Sequence, residues 1–249
     1  MEKLLCITAI CPLRKFPSYE SEIVSQLLFG ETAVLLGQDK DFYKIRCEFD
    51  EYEGWCMSNQ VDHLLSETPV LKGYVTNHFY WGFLNGKTIY LPVGSPVIED
   101  IQSENYILSF PQQNYLSVND FTASAEEVNH FSHLLENVPY LWGGRSSYGI
   151  DCSGFAQQVF KFMGINLPRD AYQQAGKGET VSGLENAVAG DLAFFSSEDS
   201  ITHVGIILNS SSIIHAAGYV HTDRIDENGI IHFISGKRTH KLHSIKRLF

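Results

Sequence analysis

The spacing of apolar and polar positions divides the chain into stretches of different period. Up to residue 65 the pattern is that of short strands. Thr32 to Leu36 is an apolar run and Asp39-Lys40-Asp41 makes a turn. From Phe42 to Phe49 the residues alternate, with Tyr43, Ile45, Cys47 and Phe49 on one face and Lys44, Arg46 and Glu48 on the other. A turn over Asp50 to Gly54 leads to Trp55-Cys56-Met57. Short strands joined by polar turns predict a small β-barrel, with Trp55 in its core. Residues 66–118 repeat the style more loosely. Gly73-Tyr74-Val75 precedes an aromatic patch, His78 to Trp81, and Asn85-Gly86 is a hairpin signal because both residue types tolerate the positive φ of a type I′ turn. A second, divergent barrel is predicted there.

Near Asn119 to Ala125 the period changes from two to that of a helix. Ser124 is placed to cap a helix, with Glu127 as its capping-box partner, and Val128, Phe131, Leu134 and Leu135 line one face. After the turn-forming run Gly143 to Gly149, a second helix carries Phe155, Val159 and Met163 at four-residue spacing and stops at Gly164. Leu192 to Phe195, Val204 to Leu208 and Ser212 to Ile214 read as core strands. Helices first and a sheet afterwards predict an α+β domain. The organisation expected is 1–65, 66–120 and 121–249.

Composition narrows the function classes. At 249 residues and 44% hydrophobic content the chain is long enough for two or three small domains. A formal net charge of -11 opposes a phosphate-tracking nucleic-acid binder and adhesion to an acidic polymer or membrane surface. No segment reaches the roughly 18 apolar residues needed to span a bilayer. The run Leu4 to Cys11 follows the acidic Glu2 and precedes no small-x-small cleavage site, so it reads as mature protein. The five cysteines form no CxxC pair and no His/Cys cluster at zinc spacing. Their odd count suits reduced thiols in a cytoplasm, and no metal or other cofactor is called for. Cys6, Cys11, Cys47 and Cys56 read as small buried hydrophobes.

Cys152 stands apart. It lies in Asp151-Cys152-Ser153-Gly154, between the turn-forming run and the second helix, where the positive end of the helix dipole favours the thiolate. Downstream, His203 in Thr202-His203-Val204-Gly205 and His215 in Ile214-His215-Ala216 supply a base and an orienting group. The other histidines sit in no motif and read as surface or structural residues.

The ordered set Pro139-Tyr140-Leu141-Trp142-Gly143-Gly144, Asp151-Cys152-Ser153-Gly154, Gly190-Asp191-Leu192, His203-Val204-Gly205 and His215 resembles the NlpC/P60 cysteine peptidases, a papain-like fold acting on bacterial cell-wall peptides. In the N-terminal half, Arg14, Ser21 to Glu31 and Tyr52-Glu53-Gly54-Trp55 resemble bacterial SH3 (SH3b) domains. That subgroup is similar to the γ-D-glutamyl-L-diamino acid endopeptidases of murein recycling.

The resemblance implies Cys152 as nucleophile, His203 as general base and His215 as the residue that orients it. Tyr140 is either an oxyanion donor beside the Cys152 backbone N–H or a packed aromatic. Asp151 and Ser153 are an N-cap and a first-turn residue, or they hold the substrate's free amine. Glu22 and Tyr52 are surface residues, or they select a free N-terminal L-Ala. Arg169-Asp170 reads as a loop-fixing pair and Asp191 as a turn residue.

The implied protein is a cytoplasmic monomer cutting the γ-D-Glu to diamino-acid bond of a murein tripeptide or tetrapeptide, with no nucleic-acid or membrane partner. The alternatives are a non-catalytic peptidoglycan-binding SH3b protein and a thiol acyltransferase.

Overall fold

The computed structural model describes residues 2–64, 68–102, 105–111, 114–197 and 200–249; the expected border at 65/66 lies outside these. The chain divides into two compact units. One is Met1–Phe121 with Trp142–Tyr148, and the other is Thr122–Leu141 with Gly149–Phe249.

The first unit begins with strands β1 (Lys3–Cys6), β2 (Ile10–Arg14), β3 (Ile23–Leu28), β4 (Thr32–Asp39), β5 (Phe42–Cys47), β6 (Glu53–Met57) and β7 (Val61–His63). They form one antiparallel sheet in the order β3-β2-β6-β5-β4-β1-β7. Cys6, Cys11, Cys47 and Cys56 are free thiols in its core, packed with Leu4, Leu13 and Ile45. Trp55 is not in that core. Alternation along β6 turns Gly54 and Cys56 inward and leaves Trp55 half-buried on the other face; a Cβ at Gly54 would stand 3.0 Å from Leu13 Cβ, so the inward position takes glycine.

Seven shorter strands follow: β8 (Leu71–Tyr74), β9 (Tyr80–Leu84), β10 (Lys87–Leu91), β11 (Pro96–Ile98), β12 (Ile101–Gln102), β13 (Ile107–Ser109) and β14 (Leu116–Ser117). They form a four-stranded sheet, β10-β9-β13-β12, and a three-stranded one, β11-β8-β14. The predicted turn joins β9 to β10, Asn85 and Gly86 both having positive φ (51° and 73°) and Leu84 pairing Lys87. Val75, Tyr80, Val97 and Leu108 share a core with Leu5 of β1 and with Phe29, in the turn between β3 and β4.

The segment Trp142–Tyr148 packs in this unit too. Arg145, in β15 (Arg145–Ser146), is fully buried. Its Nη2 donates to Glu31 Oε1 at 2.9 Å, its Nη1 to Gln26 O at 2.6 Å, and its backbone N–H to Gln26 Oε1 at 2.8 Å. The guanidinium lies 4.8 Å from the centre of the Phe49 ring. Gly143 is required beside it: φ is +75°, and a Cβ there would stand 2.4 Å from Ile23 O.

In the second unit, α1 (Ala125–Leu134) is capped as predicted, Ser124 Oγ accepting from the Glu127 N–H at 3.2 Å. After β16 (Gly149–Ile150) comes α2 (Cys152–Lys161), buried on every face rather than along one stripe. The short α3 (Ala171–Gln174) precedes β17 (Glu179–Val181), β18 (Leu192–Ser197), β19 (Ser200–Asn209), β20 (Ser212–Ala217), β21 (Tyr219–Asp226), β22 (Gly229–Ile231) and β23 (Arg238–Arg247).

The sheet order is β17-β23-β18-β19-β20-β21-β22, and β22 also pairs β23. The six strands β18 to β23 therefore close into a ring, with β17 outside it. Residues opposite each other in a ladder share a face. The pairs Ala193/Gly205, Phe195/His203, Ile207/Ile213, Ile213/Asp223, His215/His221, Ile225/Ile230 and Ile230/His240 thus lie on one inner surface. Its isoleucines are buried core, each contributing about 1.5–3 kcal/mol. The same surface carries four histidines and an aspartate.

Candidate active site

The residue before α2 sets up the nucleophile. Asp151 caps the helix, its Oδ1 accepting from the Gly154 N–H at 2.7 Å, which fixes Cys152 as the first helical residue. Cys152 is buried, and the Val204 and Ser153 backbone N–H groups act on its sulfur as weak stabilisers of the thiolate. The thiolate favoured by the sequence is not the resting form. Burial, and after it the Asp151 carboxylate, push the thiol up to about 11, against weaker opposing pulls from the two N–H groups and Arg169. A helix terminus contributes about 0.3–1 kcal/mol, which does not offset desolvation of the sulfur. The nucleophile needs a base.

That base is held by a chain of hydrogen bonds with one sense. His203 Nε2 lies 2.8 Å from His215 Nδ1, and His215 Nε2 lies 3.2 Å from Asp223 Oδ2. The other oxygen of Asp223 accepts from the Phe233 N–H at 2.7 Å. A carboxylate accepts only, so His215 carries its proton on Nε2 and presents the Nδ1 lone pair. His203 must then donate from Nε2, which leaves its Nδ1 unprotonated. Burial, reinforced by His215, His240 and His221, holds the pKa of His203 well below the usual range. His215 is also lowered by burial, although Asp223 opposes the shift. The base is kept neutral and in one tautomer.

Asp223 and His240 have no sequence motif. Both arrive through strand register, Asp223 opposite Ile213 and His240 opposite Ile230. The His240 ring stacks on His203 with centroids 4.2 Å apart. Burial, with a further contribution from His215, pulls its pKa down to about 4, so it adds no positive charge beside the base at neutral pH. Two of the histidines outside any motif, His221 and His240, pack their rings against His215 and His203 respectively.

Tyr140 forms a parallel bridge with Ile150, two residues before Cys152, and its N–H donates to Gly218 O at 2.8 Å. Burial first, then Cys152 and Asp151, raise the pKa of its phenol, so it remains a hydrogen-bond donor. Asp151 is gripped by Arg169, Nη1 to Oδ1 at 2.9 Å and Nη2 to Oδ2. Arg169 Nη1 also donates to Ser153 Oγ at 2.8 Å. Arg169 thus fixes the nucleophile's neighbours, while Asp170 begins α3 and donates its N–H to Gln173 Oε1.

Glu22 and Tyr52 belong to the first unit. Glu22 is exposed and accepts from Trp142 Nε1 at 2.8 Å; that bond, followed by Lys15, lowers its pKa. Tyr52 is half-buried against the first core.

A thiol at a helix start with a neutral, carboxylate-anchored histidine pair on the neighbouring sheet is the equipment of a cysteine peptidase. The comparisons with known proteins agree. Residues 137–239 match the NlpC/P60 family, and residues 13–61 match the bacterial dipeptidyl-peptidase SH3 domain. The chain is 38% identical over 221 residues to the γ-D-glutamyl-L-lysine dipeptidyl-peptidase of Bacillus subtilis, covering 79% of this chain and 73% of that one. It is 24% identical over 255 residues to dipeptidyl-peptidase 6 of Lysinibacillus sphaericus, covering 90% and 92%. The crystal structure of an NlpC/P60 family protein from Bacillus cereus superposes with a TM-score of 0.81 at 18% identity, covering 98% and 99%. The chain belongs to the NlpC/P60 family and carries a bacterial SH3 domain. Among the described residues no helix is long and apolar enough to cross a membrane.

Proposed function

We propose that this peptidase hydrolyses the γ-D-Glu to diamino-acid bond of murein tripeptides or tetrapeptides that have a free N-terminal L-Ala, acting in cell-wall recycling in the cytoplasm as a monomer. The observation that carries the reading is the one-way chain His203–His215–Asp223, which leaves His203 Nδ1 as an acceptor for the thiol proton. Cys152 gives that proton to Nδ1 and its sulfur attacks the amide carbon. The Cys152 backbone N–H and the Tyr140 hydroxyl stabilise the oxyanion. His203 returns the proton to the leaving amine, and water then resolves the thioester with His203 as base.

The free-amine requirement is supported by the name of the Bacillus subtilis relative, since a dipeptidyl-peptidase counts two residues from an N-terminus. Glu22, exposed and held ionised by Trp142 and Lys15, is a carboxylate suited to an ammonium, and Tyr52 is assigned to the same selection. We assign Asp151 and Ser153 to amine recognition as well, with Arg169 partly neutralising Asp151. We assign 1–65 and 66–120 as two SH3b-like modules and 121–249 as a papain-like catalytic domain. Peptidoglycan binding alone and acyl transfer to lipid draw no support from the buried relay or the net charge.

The test is hydrolysis of L-Ala-γ-D-Glu-L-Lys and its diaminopimelate counterpart, with and without N-acetylation, followed by mass spectrometry. Release of L-Ala-γ-D-Glu from the free peptides only, lost in Cys152→Ala, is expected. Equal cleavage of the acetylated peptides would remove the amine-reading assignment, and intact free peptides would remove the activity.

A further inference from the structure

The pairing of β20 with β21 places His215 opposite His221 and Ile213 opposite Asp223. One ring nitrogen of His215, one of His221 and a carboxylate oxygen of Asp223 then lie within 4.8 Å of one another. Asp223 Oδ2 is 3.2 Å from the first nitrogen and 3.3 Å from the second. Ligands about 2.0–2.1 Å from a tetrahedral zinc ion are themselves roughly 3.3 Å apart.

The protonation of His221 gives this spacing its meaning. Its Nδ1 is 2.9 Å from Tyr219 O, and a carbonyl only accepts, so Nδ1 holds the proton. In the neutral ring the Nε2 lone pair faces Asp223 Oδ2, an acceptor against an acceptor. A positive charge belongs between them. A second proton on His221 would satisfy that one contact. An ion would also engage His215 Nε2, which approaches the same oxygen at nearly the same distance, once the proton that it donates there has moved to Nδ1.

The surroundings of the three ligands also match a metal site. His221 donates Nδ1–H to a backbone carbonyl, Asp223 Oδ1 accepts the Phe233 N–H, and His215 Nδ1 meets His203. Two imidazoles and one carboxylate suit zinc rather than calcium or magnesium, which take oxygen ligands. His215 and Asp223 are buried, and the side chain of His221 is 12% exposed, which gives an ion its way in.

We infer that His215, His221 and Asp223 form a zinc-class metal site whose occupation turns the peptidase off. An ion on His215 Nε2 displaces the proton there to Nδ1. His215 then donates to His203 Nε2, and the proton of His203 moves from Nε2 to Nδ1. Each ring keeps one proton, but the lone pair that receives the thiol proton is gone. The inhibitory consequence rests on the function proposed above; the ion site does not.

The test uses the full-length chain carrying Cys152→Ala, so that the nucleophilic thiol takes no part, titrated with cobalt(II) in place of zinc and read by visible d–d absorption. The expected result is one ion per chain, four-coordinate bands without sulfur charge transfer, and displacement by zinc. Affinity should fall at least tenfold in His221→Ala, a partly exposed position, with circular dichroism confirming the fold. No stoichiometric uptake, or uptake unchanged in a folded His221→Ala, would overturn the site and leave a protonated His221 in its place. In the wild-type enzyme zinc should slow peptide hydrolysis, and His221→Ala should need at least tenfold more zinc for the same effect. If cobalt binds at this site but zinc leaves hydrolysis untouched, the switch is overturned and the site stands. If the wild type cleaves no peptide, the proposed function fails, while the cobalt titration still decides the site.

Discussion

Arg169 and Asp151 form a buried two-pronged ion pair at the start of α2, and Arg169 also holds Ser153 Oγ. Removing the cation leaves Asp151 charged and buried. Arg169→Met is expected to lose about 3–5 kcal/mol of stability in urea unfolding. Because Arg169 also lowers the Cys152 pKa, the variant's thiol should ionise at still higher pH.

Ionisation of Cys152 supplies a pH prediction. Burial and Asp151 place its pKa at about 11, so the thiolate fraction rises with pH across the neutral range. Iodoacetamide alkylation of Cys152, followed by peptide mass mapping, should accelerate about tenfold per pH unit from 7 to 10. A plateau below pH 8 would instead mean a resting thiolate.

What was legible in the sequence follows from the range over which each signal acts. The Ser124 cap, the Asn85-Gly86 turn and the alternation in β5 are local chemistry, and each appears as read. Cys152, His203 and His215 were reachable because their flanking residues form ordered motifs. Asp223, His221 and His240 sit in no motif, and strand pairing brings them to the two histidines, through the β20–β21 hairpin for the first two and through the closing strand β23 for His240. Asp191 was read as a turn residue, and it does accept the Val188 N–H at 2.9 Å. It also pairs with Arg247 at 2.7 Å, a partner near the far end of the chain. Cys152 rests as a thiol where its sequence position favours a thiolate for a related reason: the dipole acts locally, whereas burial is a property of the finished fold.

His215 should matter through the acceptor it presents. His215→Ala removes that acceptor and is expected to lower kcat by about 10²–10⁴-fold, the range for a disabled general base. His215→Asn keeps a carbonyl oxygen to accept from His203 Nε2 and should recover part of the loss. Equal kcat for the two variants would argue against tautomer control.

Gly205 leaves room for the same residue. A Cβ there would stand 2.7 Å from Ile213 Cδ1 and 3.0 Å from His215 Cβ. Gly205→Ala should therefore lower kcat more than it raises KM, measured on the free peptide.

In the first unit, Arg145→Met leaves Glu31 as a buried carboxylate with its guanidinium removed. A loss of about 3–5 kcal/mol in urea unfolding is expected, with part recovered by adding Glu31→Gln.

The Arg145–Glu31 pair also sets a timetable for synthesis. The two residues are 114 positions apart in the chain, although both belong to the first unit. At roughly 5–20 residues per second, a ribosome delivers Arg145 about 6–23 s after Glu31. The seven strands that end at His63 emerge well before it. Through that interval the nascent sheet holds a carboxylate in its interior without the cation that neutralises it. The cation that completes it is supplied by a segment 114 residues further along the chain.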